Sequence, residues 1–175
     1  HPHSDIDLMI LLRDEACAEP YHSELSDFVT QLWDIGLEVG HSVRTLAQCA
    51  ELAKADITIA TNLMEARTLC GDPQLAEAMQ ELTGPDQIWD TKAFFSAKWA
   101  EQIARHDKFN NTEFNLEPDI KSAPGGLRDI QNIGWVAKRH FDAQRMSELV
   151  SLGFLTADEY DILNSGHLFL WEVRY

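Results

Sequence analysis

Cations are scarce in this chain: 14 Lys and Arg stand against 29 Asp and Glu in 175 residues, a formal net charge of −15. Binding along a phosphate backbone needs clustered Lys and Arg, so a broad nucleic-acid surface is excluded. A single triphosphate is not, because a metal and a few placed cations suffice for it. Cysteine is also sparse. Cys17, Cys49 and Cys70 are isolated, odd in number and without C-x-x-C spacing. That excludes a disulfide framework and points to reduced thiols and a cytoplasmic setting. No run of about 18 apolar residues occurs, so no segment reads as a membrane-spanning helix. Neither a signal peptide, an internal repeat nor a low-complexity stretch is visible.

What is present is ordinary for a globular protein, 45% hydrophobic and 25% charged. The length suits one substantial domain, or one small domain plus part of another. The chain opens on His1 directly before a motif and closes on an amphipathic run through Trp171. We therefore expect a piece of a longer protein, incomplete at both ends.

The motif at the start is Ser4-Asp5-Ile6-Asp7, followed by the aliphatic run Leu8-Met9-Ile10-Leu11-Leu12. Side chains alternate faces along a strand, so Asp5 and Asp7 point one way and Ile6 the other. Two carboxylates on one face repel unless a cation sits between them, and a hard divalent ion completed by phosphate oxygens meets that need. Solvated acids at a strand entrance are the plainer alternative.

Farther along, residues 21–35 have helical spacing and stop at Gly36. Residues 37–45 alternate and read as a second strand, with Leu37, Val39 and Val43 toward the core and His41 in the same set. Residues 45–54 read as a helix capped by Thr45. Residues 56–60 fit a third strand or a helix entry, and residues 62–70 a helix closed by Gly71. Asp72-Pro73 starts another helix through about Leu82, and Gly84-Pro85 breaks the chain. Beyond that point the periodicity is helical throughout: residues 92–109, with Ala93, Phe94, Ala97, Trp99, Ala100, Ile103 and Ala104 as the apolar positions, then 129–141, 146–152 and 157–175. The five tryptophans suit core and interface roles, and none is assigned to a base.

One loop stands out, Leu116-Glu117-Pro118-Asp119-Ile120-Lys121-Ser122-Ala123-Pro124-Gly125-Gly126-Leu127-Arg128-Asp129. It is too long to be mere connection and too well anchored by Leu116, Ile120 and Leu127 to be disordered. Gly125-Gly126 meets the requirements of a backbone anion nest, and Lys121 and Arg128 suit phosphate or carboxylate. A packed interdomain loop ending at Asp129 is the alternative.

The opening motif resembles the metal-binding strand of the nucleotidyltransferase superfamily that includes DNA polymerase β and kanamycin nucleotidyltransferase. Leu37 to Thr45, Ala60-Thr61-Asn62-Leu63-Met64-Glu65-Ala66-Arg67 and the run Asn115 to Ile130 look more narrowly like the bifunctional uridylyltransferase/uridylyl-removing family that modifies the nitrogen signal protein PII. The resemblance implies an α+β fold: a polymerase-β-like mixed sheet with flanking helices over residues 1–86, then a helical domain over 87–175. It implies transfer of UMP from UTP to a tyrosine hydroxyl of PII with release of pyrophosphate, using Mg²⁺ or Mn²⁺ held by Asp5 and Asp7. Arg44, Lys121 and Arg128 become candidate triphosphate contacts beside Gly125 and Gly126.

Two departures accompany the resemblance. The Gly-Gly or Gly-Ser element that usually precedes the strand is not in this sequence. The usual third carboxylate falls near Gly40, so Asp56 is the preferred substitute, ahead of Glu65. Uridylyl removal belongs, in the family, to a metal-dependent His-Asp hydrolase domain. This chain has only His106-Asp107, read as surface, so the transferring half alone is expected. Partners are then PII and UTP, without nucleic acid or membrane. The competing readings are a related adenylyl- or nucleotidyltransferase acting on another protein, and a non-catalytic nucleotide- or partner-binding module.

Overall fold

The aliphatic run after Asp7 forms strand β1 (Ile6–Leu12), and Val39–Thr45 forms β2 beside it in parallel. The computed structural model describes residues 6–113, 116–143 and 145–174. The chain divides into two units, His1–Ile88 and Trp89–Tyr175.

In the first unit, parallel neighbours cannot be joined by a tight turn, so the connection must travel back along the sheet. Two 3-10 turns, Glu15–Cys17 and Glu19–Tyr21, and helix α1 (His22–Asp34) make that return. Gly36, at φ +86°, takes the left-handed conformation that lets the chain leave α1 for β2. The strand register sets Ile6 against Val39, Asp7 against Gly40 and Leu8 against His41. Thr45 then starts helix α2 (Leu46–Ala55) through a capping box. Its hydroxyl accepts the Gln48 N–H at 3.2 Å, and the Gln48 side chain accepts the Thr45 N–H at 3.0 Å. Cys49 and Ala53 are fully buried, and the Cys49 sulfur lies 3.9 Å from that of Met9 on β1. Burial raises the Cys49 thiol above its ordinary pKa, which leaves it inert.

One open alternative is decided here, and two expectations need correction. The segment after Asp56 is not a strand but helix α3 (Ile57–Met64), because the Asp56 carboxylate accepts the Thr58 N–H at 2.7 Å and caps it. The sheet among the described residues is therefore two-stranded and parallel. Residues 66–71 lie outside any helix, and Gly71, at φ +106°, turns a loop instead of closing one. His41 is exposed, edge-on to the Trp33 ring at 5.4 Å, because this short sheet leaves that face open. Helix α4 (Pro73–Leu82) begins as expected, with Asp72 as cap and Pro73 in its first turn.

The second unit is helical: α5 (Thr91–Lys108), α6 (Leu127–Phe141), α7 (Glu148–Ser151) and α8 (Ala157–Arg174). Ala137, Ala143 and Leu149 form its apolar core, with Ile133, Phe141, Met146 and Leu155 packed around them. No helix among the described residues is long and apolar enough to cross a membrane.

Helices α5 and α6 run antiparallel and meet along an unusual seam. Phe94 lies under the Arg139 guanidinium at 5.3 Å, and the Lys98 ammonium sits 4.3 Å from the Trp135 ring centre. Gln102 accepts the Asn132 amide at 3.0 Å, and Arg105 pairs with Asp129. These rungs follow a three- and four-residue spacing on each helix, so each set occupies one face. The apolar stripe of α5 is consequently rotated outward. Trp99 and Ile103 are 54% and 43% exposed, whereas Lys98 is 3% exposed.

Candidate active site

In the first unit Asp7 and Gly40 face each other at the start of the parallel pair. Asp7 is exposed on β1, directly opposite Gly40 on β2. A Cβ at residue 40 would stand 3.2 Å from Asp7 Oδ1, tighter than an ordinary contact. Glycine there keeps that side of the carboxylate free. Asp5 lies outside the described residues. Among those residues, no group of three or more His, Cys, Asp or Glu could hold a metal ion. A divalent ion at Asp7 would therefore need Asp5, water and phosphate oxygens to complete its shell, a set that suits Mg²⁺. Arg44 is half-buried on β2, in register with Leu11. Asp56 caps α3 through its Oδ1.

In the second unit the loop before α6 folds around one carboxylate. Asp129 accepts the Gly125 N–H at 2.8 Å, the Arg105 guanidinium and the His106 Nε2 at 3.0 Å. Burial pushes its pKa upward, but the bonds from Arg105, Gly125 and His106 outweigh burial and hold it below the usual value. His106 is thus half-buried and bonded, which corrects its reading as a surface residue. Gly125, at φ +76°, supplies the left-handed turn that aims its N–H at Asp129.

The neighbouring donors are spent as well. Gly126 N–H goes to Ala123 O at 2.9 Å, Leu127 to Ile120 O at 2.9 Å and Arg128 to Lys121 O at 2.8 Å. Gly126 is required for steric reasons, since a Cβ there would lie 2.7 Å from the Ile120 carbonyl oxygen. The anion held by this glycine turn is the chain's own Asp129. Lys121 is exposed, and Arg128 lies over Trp135 with its guanidinium carbon 5.3 Å from the ring centre.

Lys98, Arg105 and His106 escaped sequence reasoning. Each sits on a helix whose apolar positions suggested a different buried face. The spacing of Phe94, Lys98, Gln102 and Arg105 on one face was the available signal.

Comparison with known proteins adds the decisive observation. Over all 175 residues the chain is 53% identical to a bifunctional uridylyltransferase/uridylyl-removing enzyme of Stutzerimonas stutzeri, and equally to one of Azotobacter vinelandii. The corresponding enzyme of Methylococcus capsulatus is 53% identical over 173 residues, 99% of this chain. Over its whole length the chain is thus similar to bifunctional uridylyltransferase/uridylyl-removing enzymes. The family model described as GlnD PII-uridylyltransferase matches residues 93–175, which include the α5–α6 seam and the Asp129 loop. The chain spans about a fifth of the length of these curated relatives, 19% for the first two and 20% for the third. No solved structure gives a significant match.

Proposed function

We propose that this chain carries the transferring site of a metal-dependent nucleotidyltransferase that moves UMP from UTP to a tyrosine hydroxyl of PII. The observation that carries the reading is the exposed Asp7 carboxylate facing Gly40 at the start of a parallel pair, in a chain whose relatives are named uridylyltransferases. A polymerase-β-like sheet accords with that placement. Asp5 and Asp7 would hold Mg²⁺ or Mn²⁺. When bound, the ion neutralises charge developing on the phosphate oxygens and aligns nucleophile and leaving group.

The chain's own residues bind and orient. Arg44 is the cation proposed for phosphate oxygens in the first unit; Lys121 and Arg128 are proposed separately as anion contacts of the second. The tyrosine oxygen forms its bond to the α-phosphorus as the bond to pyrophosphate breaks. Asp56 stays the proposed third carboxylate, with its Oδ1 also capping α3.

Calorimetry with UTP tests the reading. We expect binding that requires Mg²⁺, is lost in Asp7→Asn, and is weaker for ATP. UTP binding that is absent or indifferent to Mg²⁺ would sink it, and a preference for ATP would favour an adenylyl transferase.

A further inference from the structure

The glycine turn has no backbone donor to spare, so an anion beside it would be met by side chains. Lys98, Arg105 and Arg128 gather at one stretch of the α5–α6 seam. Glu101 takes the Lys98 ammonium at 2.7 Å, and Asp129 takes Arg105. The Arg128 guanidinium has no hydrogen-bond acceptor or ion-pair partner among the described residues. Its guanidinium lies over Trp135, an indole that is 4% exposed and also carries Lys98. Such a stack orients the guanidinium while leaving its N–H groups unused. A second unused donor lies in the cluster, since Arg105 Nε is buried without a partner. Burial first, and then repulsion from Arg128 and Arg105, lower the pKa of Lys98. The cluster thus holds more positive charge than its own acids match, within a protein of net charge −15.

We propose that Arg128, braced on Trp135 beside Lys98, forms a phosphate-class anion site in the second unit that works without a metal. As a subsite for the phosphates of a nucleotide it rests on the transferase reading. As an anion site it can be tested apart from it.

The chain is titrated with inorganic pyrophosphate in EDTA at low ionic strength, following melting temperature and indole fluorescence. We expect saturable binding that weakens as salt is added. Arg128→Gln should lose about tenfold or more in affinity, the cost of one charge-assisted contact. Arg128→Lys keeps the charge without the planar stack and should fall between the two. Arg145→Gln, at an exposed cation of the same unit, should change nothing. The site is overturned by an absence of saturable binding in the unaltered chain, or by equal binding in Arg128→Gln. If UTP binds in EDTA as pyrophosphate does and Mg²⁺ adds nothing, the transferase reading fails and the anion site stands.

Discussion

The two units treat charge in opposite ways. The first displays it: Asp7 is exposed at the start of a strand, and the polar atoms around it are open to water. The second buries it: Lys98 and Arg139 are 3% and 5% exposed, and the Asp129 side chain, at 18%, is held by Arg105, His106 and a backbone N–H. An exposed carboxylate costs little to keep and contributes little to stability, so it is free to serve a ligand. A buried ion network is costly to desolvate and costly to break, so it couples the fold to each of its members. Changes at Asp7 should therefore alter binding without unfolding, and changes in the Asp129 network should cost stability.

The sharpest way to break that contrast is Asp129→Ala. It strands Arg105, 13% exposed, and frees the Gly125 N–H. Urea denaturation should show a loss of about 2–3 kcal/mol, less than for a fully dry pair because both partners keep some hydration. A loss under about 0.5 kcal/mol would mean that the clamp is ornamental.

Gly126→Ala comes next. The added Cβ would press on the carbonyl oxygens of Ile120 and Ala123, at 2.7 and 2.9 Å, so we expect about 1–3 kcal/mol of destabilisation in the same assay.

Acid sensitivity should also separate the units. The carboxyl of Asp129 is held below its unfolded value, so its contribution is present above about pH 4 and is lost as the pH falls through the lower, folded value. Asp129→Asn should flatten stability against pH in that acid window, measured by thermal melts, whereas Asp7→Asn should leave the slope unchanged. The smallest effect should be that of Asp7→Asn on stability near neutral pH, within about 0.5 kcal/mol of the unaltered chain. A larger loss would show that Asp7 is structural.

Much of the local structure was legible because it rests on neighbours in sequence. Thr45 with Gln48, Asp72 with Pro73, and Gly36 each mark a helix boundary through bonds or dihedrals spanning a few residues. Where two local signals competed, the sequence could not choose. Asp56 served equally as a strand entrance or a helix cap, and the cap to Thr58 won. Helix α5 misled for a different reason. Its apolar periodicity is real, but Trp135 gives Lys98 a partner that no reading of α5 by itself contains.

The sequence by itself determined the strand after Asp7, the helix caps and the likeness to the uridylyltransferase relatives, because each is written in residues close together along the chain. Tertiary structure alone decided which face of α5 is buried, what occupies the Gly125–Gly126 turn, and that the Arg128 guanidinium lies over Trp135. Those outcomes depend on pairs such as Arg105 with Asp129 and Lys98 with Trp135, which lie far apart in sequence and meet only when α5 and α6 pack. Burial of a charge is favourable only once its partner is in place, so the partner, not the residue's own type, sets where it goes.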